Sequence, residues 1–263
     1  MGMLNKEKLL NIISKYPLLN QCFSKYITWI CDNVQKGYQE YDLIKCLIES
    51  EEFHRLEVLE ESLNQSLDIL KINKKEFCNK FGFTKDLLTN DPEKLHDTLA
   101  ETLFVLELDK NHFSDIYKLP NSIKTDEGKI SNSDFIATLK KQRYAIEIKT
   151  IRIGNMLPLN NDNLPYGTSG QHTWYVEMFL NNAITKIENK KGKLFKQLDN
   201  TYKHYNCDKR MLGLYVRRLA PSALMSKFDY HNAIKILREK YSTLDCIYVK
   251  NYSGNEYFNN LHK

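Results

Sequence analysis

The chain has 263 residues, enough to bury a sizeable core as one large domain or two unequal ones at roughly 100 to 200 residues per domain. A hydrophobic content of 42% with 16 Tyr and 12 Phe predicts a folded globule, and a mean hydropathy of −0.52 without a long uncharged apolar run excludes membrane spans. The net charge of +5 is uneven: residues 1–100 carry 13 Lys and Arg against 16 Asp and Glu, and residues 101–263 carry 25 against 17, so the second part is the better match for a polyanion.

Residues 1–10 carry Lys6, Glu7 and Lys8 and lack the layout of a signal peptide, which predicts a cytoplasmic location. The six cysteines, Cys22, Cys31, Cys46, Cys78, Cys207 and Cys246, are scattered without a C-x-x-C pair or a zinc-finger spacing, and read as reduced and mostly buried thiols. Residues 3–88 read as helices, because apolar residues recur three and four apart in Leu9, Ile12, Ile13 and Tyr16 and in Leu56, Leu59, Leu63, Leu67 and Leu70. Breaks are expected near Gly37 and Gly82. Thr89-Asn90-Asp91-Pro92 is a helix-start signal, with Asp91 as N-cap and Pro92 in the first turn, and the domain boundary is placed there, giving a helical region 1–90 and a second domain 91–263. The acidic balance of the first region suits dimerisation, partner docking or target selection better than a grip on DNA.

A helix follows from Glu93 to about Asp109, with Leu95, Leu99, Leu103 and Leu106 on one stripe and Glu101 on a neighbouring face. From Ile116 to Thr150 the residues favour strands, the clearest being 134–139 and 144–149, separated by the polar Lys140-Lys141-Gln142. A long loop is expected over 151–170 and a long amphipathic helix from His172 to about Tyr205. Strand 211–216, helix 223–240 and strand 246–249 complete an α/β chain with a central mixed sheet flanked by helices.

Alternation along a strand puts Glu147 and Lys149 on one face and Ile146 and Ile148 on the other, towards the core. A hairpin centred between Lys140 and Lys141 pairs residues whose numbers sum to 281, so Asp134 falls opposite Glu147, with Cβ atoms about 4.5–5.5 Å apart. Two carboxylates so close repel unless a cation lies between them. Magnesium takes one or two carboxylates with phosphate oxygens and water, and manganese is expected to substitute; Lys149 is then placed to orient a water and offset charge.

Ser133-Asp134, a twelve-residue spacer and Glu147-Ile148-Lys149 together resemble the PD-(D/E)xK nuclease motif, and the order of elements over roughly 95–220 resembles that family's. The resemblance implies a restriction-endonuclease-like core of αβββαβ type, divalent-metal dependence and phosphodiester hydrolysis. It further implies an acidic metal ligand from the preceding helix, which Glu101 matches, and a catalytic Gln or Lys from the later helix, for which Gln197 is preferred over Lys193 and Lys196. Ser133 stands where the motif has proline, a common exchange in the family that leaves Asp134 in place. Tyr202 follows Gln197 by five residues, against the four of one exonuclease branch, which argues against membership of that branch.

Lys186, Lys190, Lys191, Lys193 and Lys196 suit a phosphate backbone, although a solvated helix face accounts for them equally well. His172 is a further nucleic-acid contact candidate, with a helix-capping histidine as the plainer account. No P-loop, dinucleotide fingerprint, H-E-x-x-H pair or G-x-S-x-G elbow occurs. The expectation is a Mg²⁺-dependent endonuclease acting on DNA rather than RNA, of the restriction or defence kind, in a form that allows a homodimer and without a membrane partner. Its alternatives are a catalytically inactive nucleic-acid-binding or assembly subunit and an RNA-directed nuclease.

Overall fold

A computed structural model describes residues 6–32, 53–83, 94–125, 128–153, 169–218, 227–251 and 256–259. The chain divides into two compact units, Met1–His112 and Phe113–Lys263.

The first unit is helical, as the apolar spacing predicts: α1 (Lys6–Ile13), α2 (Pro17–Asp32), α3 (Phe53–Leu70), α4 (Lys74–Phe81) and α5 (Lys94–Lys110). Gly37 and the Asp91-Pro92 start signal lie outside the described residues. Leu56, Leu59, Leu63 and Leu70 are buried along α3, and fully buried Ser66 lies in the same helix. Its hydroxyl donates to Thr102 O at 3.1 Å, tying α3 to α5. That packing assigns α5 to the helical unit, so the division falls between His112 and Phe113 and not at 90/91.

Both ends of α4 are satisfied locally. Asn73 Oδ1 accepts from Glu76 N at 3.0 Å at the start of α4, and Gly82, with φ +72°, closes its C-terminus in the left-handed conformation that glycine adopts without steric cost. Helix α2 opens on Pro17, and the carboxylate of Glu60 on α3 accepts from Leu18 N at 2.9 Å and Leu19 N at 2.7 Å. A negative charge thus sits on two N–H groups that have no partner within their own helix. Glu60→Ala is expected to lower the unfolding free energy by about 1–3 kcal/mol, seen as a lower urea midpoint at unchanged slope.

The second unit is α/β. Its strands are β1 (Ser114–Lys118), β2 (Ser122–Thr125), β3 (Gly128–Ser131), β4 (Phe135–Leu139), β5 (Gln142–Ile153), β6 (Lys209–Arg218), β7 (Cys246–Asn251) and β8 (Glu256–Asn259). Helix α6 (Ser169–His204) connects β5 to β6, and α7 (Lys227–Lys240) connects β6 to β7. Six strands form one mixed sheet in the order β1-β4-β5-β6-β7-β8, while β2 and β3 pair as a separate ribbon. The pairs β1–β4, β4–β5 and β7–β8 are antiparallel, and β5–β6 and β6–β7 are parallel. Apart from the ribbon, the chain order from α5 is helix, three antiparallel strands, helix, parallel strand.

Some boundaries move. Strand β5 runs on to Ile153, into the stretch read as loop, and α6 starts at Ser169 rather than His172. The remainder of the expected loop, 154–168, lies outside the described residues. The β2–β3 ribbon falls within the strand-favouring stretch but is not resolved there from the sequence, and β8 is not anticipated, since strands of four residues are too short to show a period.

One face of the sheet, carrying Ile136, Ala145, Ile151, Leu212, Leu214, Val216, Ile247 and Val249, forms a core cluster with Phe179, Ala183, Ile187, Leu194 and Leu198 of α6 and Tyr230, Ala233, Ile234 and Leu237 of α7. On β5, however, Tyr144, Ile146 and Ile148 of the other parity are buried too. The face that carries Glu147 and Lys149 is therefore no wet side of the strand: Ala145 and Ile151 flank them within the helix-covered core.

Candidate active site

The β4–β5 hairpin turns at Lys140 and Lys141, both with positive φ (+49° and +65°), a backbone that suits the twist of a two-residue hairpin. Its register, from Leu139 opposite Gln142 to Phe135 opposite Ile146, is the one expected from the sequence. At Asp134 the ladder becomes irregular. Asp134 N donates to Ile146 O at 3.0 Å, the residue already opposite Phe135, and Asp134 O accepts from Leu119 N at 2.9 Å. The direct Asp134–Glu147 rung is thus corrected: Asp134 lies in a bend just before β4, and its carboxylate reaches one residue further along β5, where Oδ2 accepts from Ile148 N at 2.8 Å.

That displacement brings in a residue absent from the sequence reading. Lys118, the last residue of β1, lies opposite Phe135, and its Nζ meets Asp134 Oδ1 at 3.1 Å and Phe135's ring at 4.9 Å. Its side chain is 2% exposed and that of Asp134 14%. The only sequence signal was a lysine in a strand next to the apolar Ile116 and Leu119; its meaning depends on the β1–β4 pairing, which no local pattern announces.

Glu147 and Lys149 project together, as the alternation requires. Lys149 Nζ contacts Glu147 Oε1 and also donates to Ile148 O at 3.0 Å. Glu147 is 1% exposed and Lys149 half-buried, so the amine is the more accessible group of that pair. Burial opposes charge on Asp134, but the amines of Lys118 and then Lys149, with the Ile148 N–H, outweigh it and hold the carboxyl below its ordinary range. Asp134 is therefore ionised at neutral pH, linked electrostatically to both amines.

Helix α6 positions the approach to Asp134 through side chains at i, i+3 and i+4. Gln197 Nε2 donates to Asn132 O at 2.8 Å, Asn200 Nδ2 to Ser131 O at 3.0 Å, and buried Thr201 Oγ1 accepts from Ser133 N at 2.8 Å. Two successive peptide units, 131–132 and 132–133, are thus held by one helix face. Gln197 faces the segment leading to Asp134, and its amide is spent on a main-chain carbonyl. Its role in this geometry is to position the backbone. Thr201→Val leaves the buried Ser133 N–H without its acceptor and is expected to cost about 1–3 kcal/mol of stability, measured by urea unfolding.

Lys193 and Lys196 are exposed on α6. His172 lies in the first turns of α6, and its side chain, with those of Lys190, Lys191, Trp174 and Tyr175, lies outside the described residues. Glu101 is half-buried on α5 in the helical unit. Burial pushes the Cys207 thiol up to about 11 and the Cys246 thiol up to about 12, which keeps both protonated at neutral pH and unsuited to nucleophilic attack.

The described residues contain no group of three or more His, Cys, Asp or Glu side chains arranged to hold a metal ion. Asp134 and Glu147 are the two carboxylates here that a divalent cation could draw on, each with an amine beside it. Two carboxylates are the number magnesium takes when phosphate and water complete its shell, so the chemistry of the pair fits, with two amines as competing cations. No helix among the described residues is long and apolar enough to cross a membrane. Comparisons with models of protein families, with curated proteins and with solved structures found no match.

Proposed function

We propose that the chain is a Mg²⁺-dependent phosphodiester hydrolase acting on nucleic acid, DNA rather than RNA, with Asp134, Glu147 and Lys149 as its catalytic residues. The observation that carries this reading is that Asp134, bonded to Ile148 N, and Glu147, bonded to Lys149, both engage the 147–149 stretch of β5, where the Lys149 amine acts on Asp134 as well. A bound divalent cation would polarise the scissile phosphate and acidify a water. Asp134 and Glu147 would hold that cation, Lys149 would orient the water and balance charge on the phosphate, and Gln197, Asn200 and Thr201 keep Asp134 in place from behind. Glu101, which the motif implies as a further acidic residue, belongs to the helical unit and forms no part of this geometry, and Lys193, Lys196 and His172 are offered as contacts to the phosphate backbone. A restriction or defence role follows by analogy from the helical unit attached to such a core.

The test is incubation of the purified chain with plasmid DNA and with RNA, in Mg²⁺, Mn²⁺ or EDTA. Cleavage that requires the cation and disappears in Lys149→Ala supports the reading, and no cation-dependent cleavage of either substrate sinks it. Glu101→Ala in the same assay decides whether that residue takes part. One observation favours a second reading, a non-catalytic binding or assembly subunit: Lys118 lies on Asp134 and Lys149 on Glu147, so each carboxylate already has an amine beside it. Calorimetry showing no heat with Mg²⁺ or Mn²⁺, with nucleic acid still bound in a strongly salt-dependent manner, selects it.

A further inference from the structure

The sequence reading leaves all six cysteines as unremarkable thiols, but two of them meet. Cys22 on α2 and Cys78 on α4 are each buried, with the two sulfurs 2.9 Å apart. Both are thiols in this structure. Their helices are held independently of the contact: α2 by Glu60 at its N-terminus, α4 by Asn73 and Gly82 at its two ends. A disulfide has its sulfurs about 2.05 Å apart, so about 0.9 Å of approach separates the two thiols from a bond.

We infer that Cys22 and Cys78 form a modification site, a dithiol that hydrogen peroxide oxidises to an intramolecular disulfide joining α2 to α4. The Cys78 sulfur attacks the peroxide oxygen; an S–O bond forms, the O–O bond breaks, and water leaves with the thiol proton. Cys22 Sγ then attacks Cys78 Sγ; the S–S bond forms, the S–O bond breaks, and the oxygen departs as water with the second thiol proton. Two thiols and one peroxide give one disulfide and two waters, the sulfurs losing two electrons to the peroxide. Cys78 attacks first where it accepts the hydrogen bond of the Cys22 thiol, which lowers its pKa despite burial; where the bond runs the other way the two sulfurs exchange roles and the product is the same. Their contact makes the second step intramolecular, which favours the disulfide over further oxidation at sulfur. Both sulfurs are buried, so the reaction requires a local opening that passes a water-sized peroxide.

The experiment treats the full chain under native conditions with hydrogen peroxide, quenches it, alkylates the remaining thiols in denaturant and maps the peptides by mass spectrometry. Expected are the loss of two alkylatable thiols, a linked peptide pair carrying Cys22 and Cys78, a mass lower by two hydrogens, reversal by dithiothreitol, and a Tm several degrees higher in the oxidised form. Cys22→Ser and Cys78→Ser should each abolish the linked pair. Six thiols still alkylated, a sulfinic Cys78 beside an alkylated Cys22, or linkage through Cys31 or another cysteine in its place would overturn the proposal. The wild-type peptide map decides it even if neither variant folds.

Discussion

Asp134→Ala is expected to lower cation-dependent cleavage by roughly a thousandfold or more and, separately, to cost about 3–5 kcal/mol of folding stability. The stability loss follows from geometry alone. Lys118 is almost fully buried, and the carboxylate that neutralises it at 3.1 Å disappears together with the acceptor of Ile148 N. Asp134→Asn should be only a partial remedy. An amide offers one acceptor oxygen, whereas Lys118 Nζ and Ile148 N claim both oxygens of Asp134, so an N–H₂ group is turned against one of those donors. Urea unfolding measures the stability term, and cleavage assayed at a temperature where circular dichroism shows both variants folded measures the activity term. Activity retained in a folded Asp134→Ala protein would remove this residue from the mechanism and leave it a purely structural anchor for Lys118.

The same residue fixes a pH dependence. The folded-state pKa of Asp134 lies below its ordinary value of 3.8, so the folded form favours the ionised carboxylate more than the unfolded chain does. Its contribution is complete above about pH 5, begins to fade as the pH falls through the ordinary value, and is lost as it falls through the depressed one. The stability gap between wild type and Asp134→Asn should therefore stay constant from pH 8 to about pH 5 and close only in more acid solution. A gap that changes around neutrality would point to another titrating group.

The sequence disclosed the hairpin because its signals are local. Two lysines at a polar break, β-branched and aromatic residues on either side and a two-residue period set the register of β4 and β5 to the residue, and the same period placed Glu147 and Lys149 side by side. What stayed hidden depends on pairings across long stretches of chain. At the bend at Asp134 its carbonyl accepts from Leu119 N, and Lys118 lies beside it; neither contact can be inferred before β1 is known to lie against β4. The face of α6 that meets residues 131–133 was half legible, since Gln197 was singled out, but Asn200 and Thr201 are ordinary polar residues until the helix is set beside that segment. Burial of Glu147 was missed for a related reason. Alternation along β5 suggested one core face, whereas the helix-covered cluster of Ala145 and Ile151 makes the carboxylate's own face a core as well.

Lys149→Met separates the two readings of the site, because it is expected to move cation binding and cleavage in opposite directions. The amine touches Glu147 Oε1 and contributes to holding Asp134 ionised, so it competes with any divalent cation for the same two carboxylates. Removing one positive charge a few ångströms away is worth a few kcal/mol at the dielectric of a partly buried site, which predicts a Mg²⁺ or Mn²⁺ dissociation constant lower by about tenfold or more in calorimetry. Cleavage should fall by roughly a hundredfold to a thousandfold, since the group that orients water and offsets charge is gone. Lys118→Met should also tighten cation binding, through Asp134. Because Lys118 is the more deeply buried amine, its replacement by an apolar chain of similar length should spare the fold better than Lys118→Ala. If both methionine variants fold and neither binds a divalent cation more tightly than the parent chain, the carboxylates serve their lysines and not a metal, and the binding-subunit reading replaces the hydrolase.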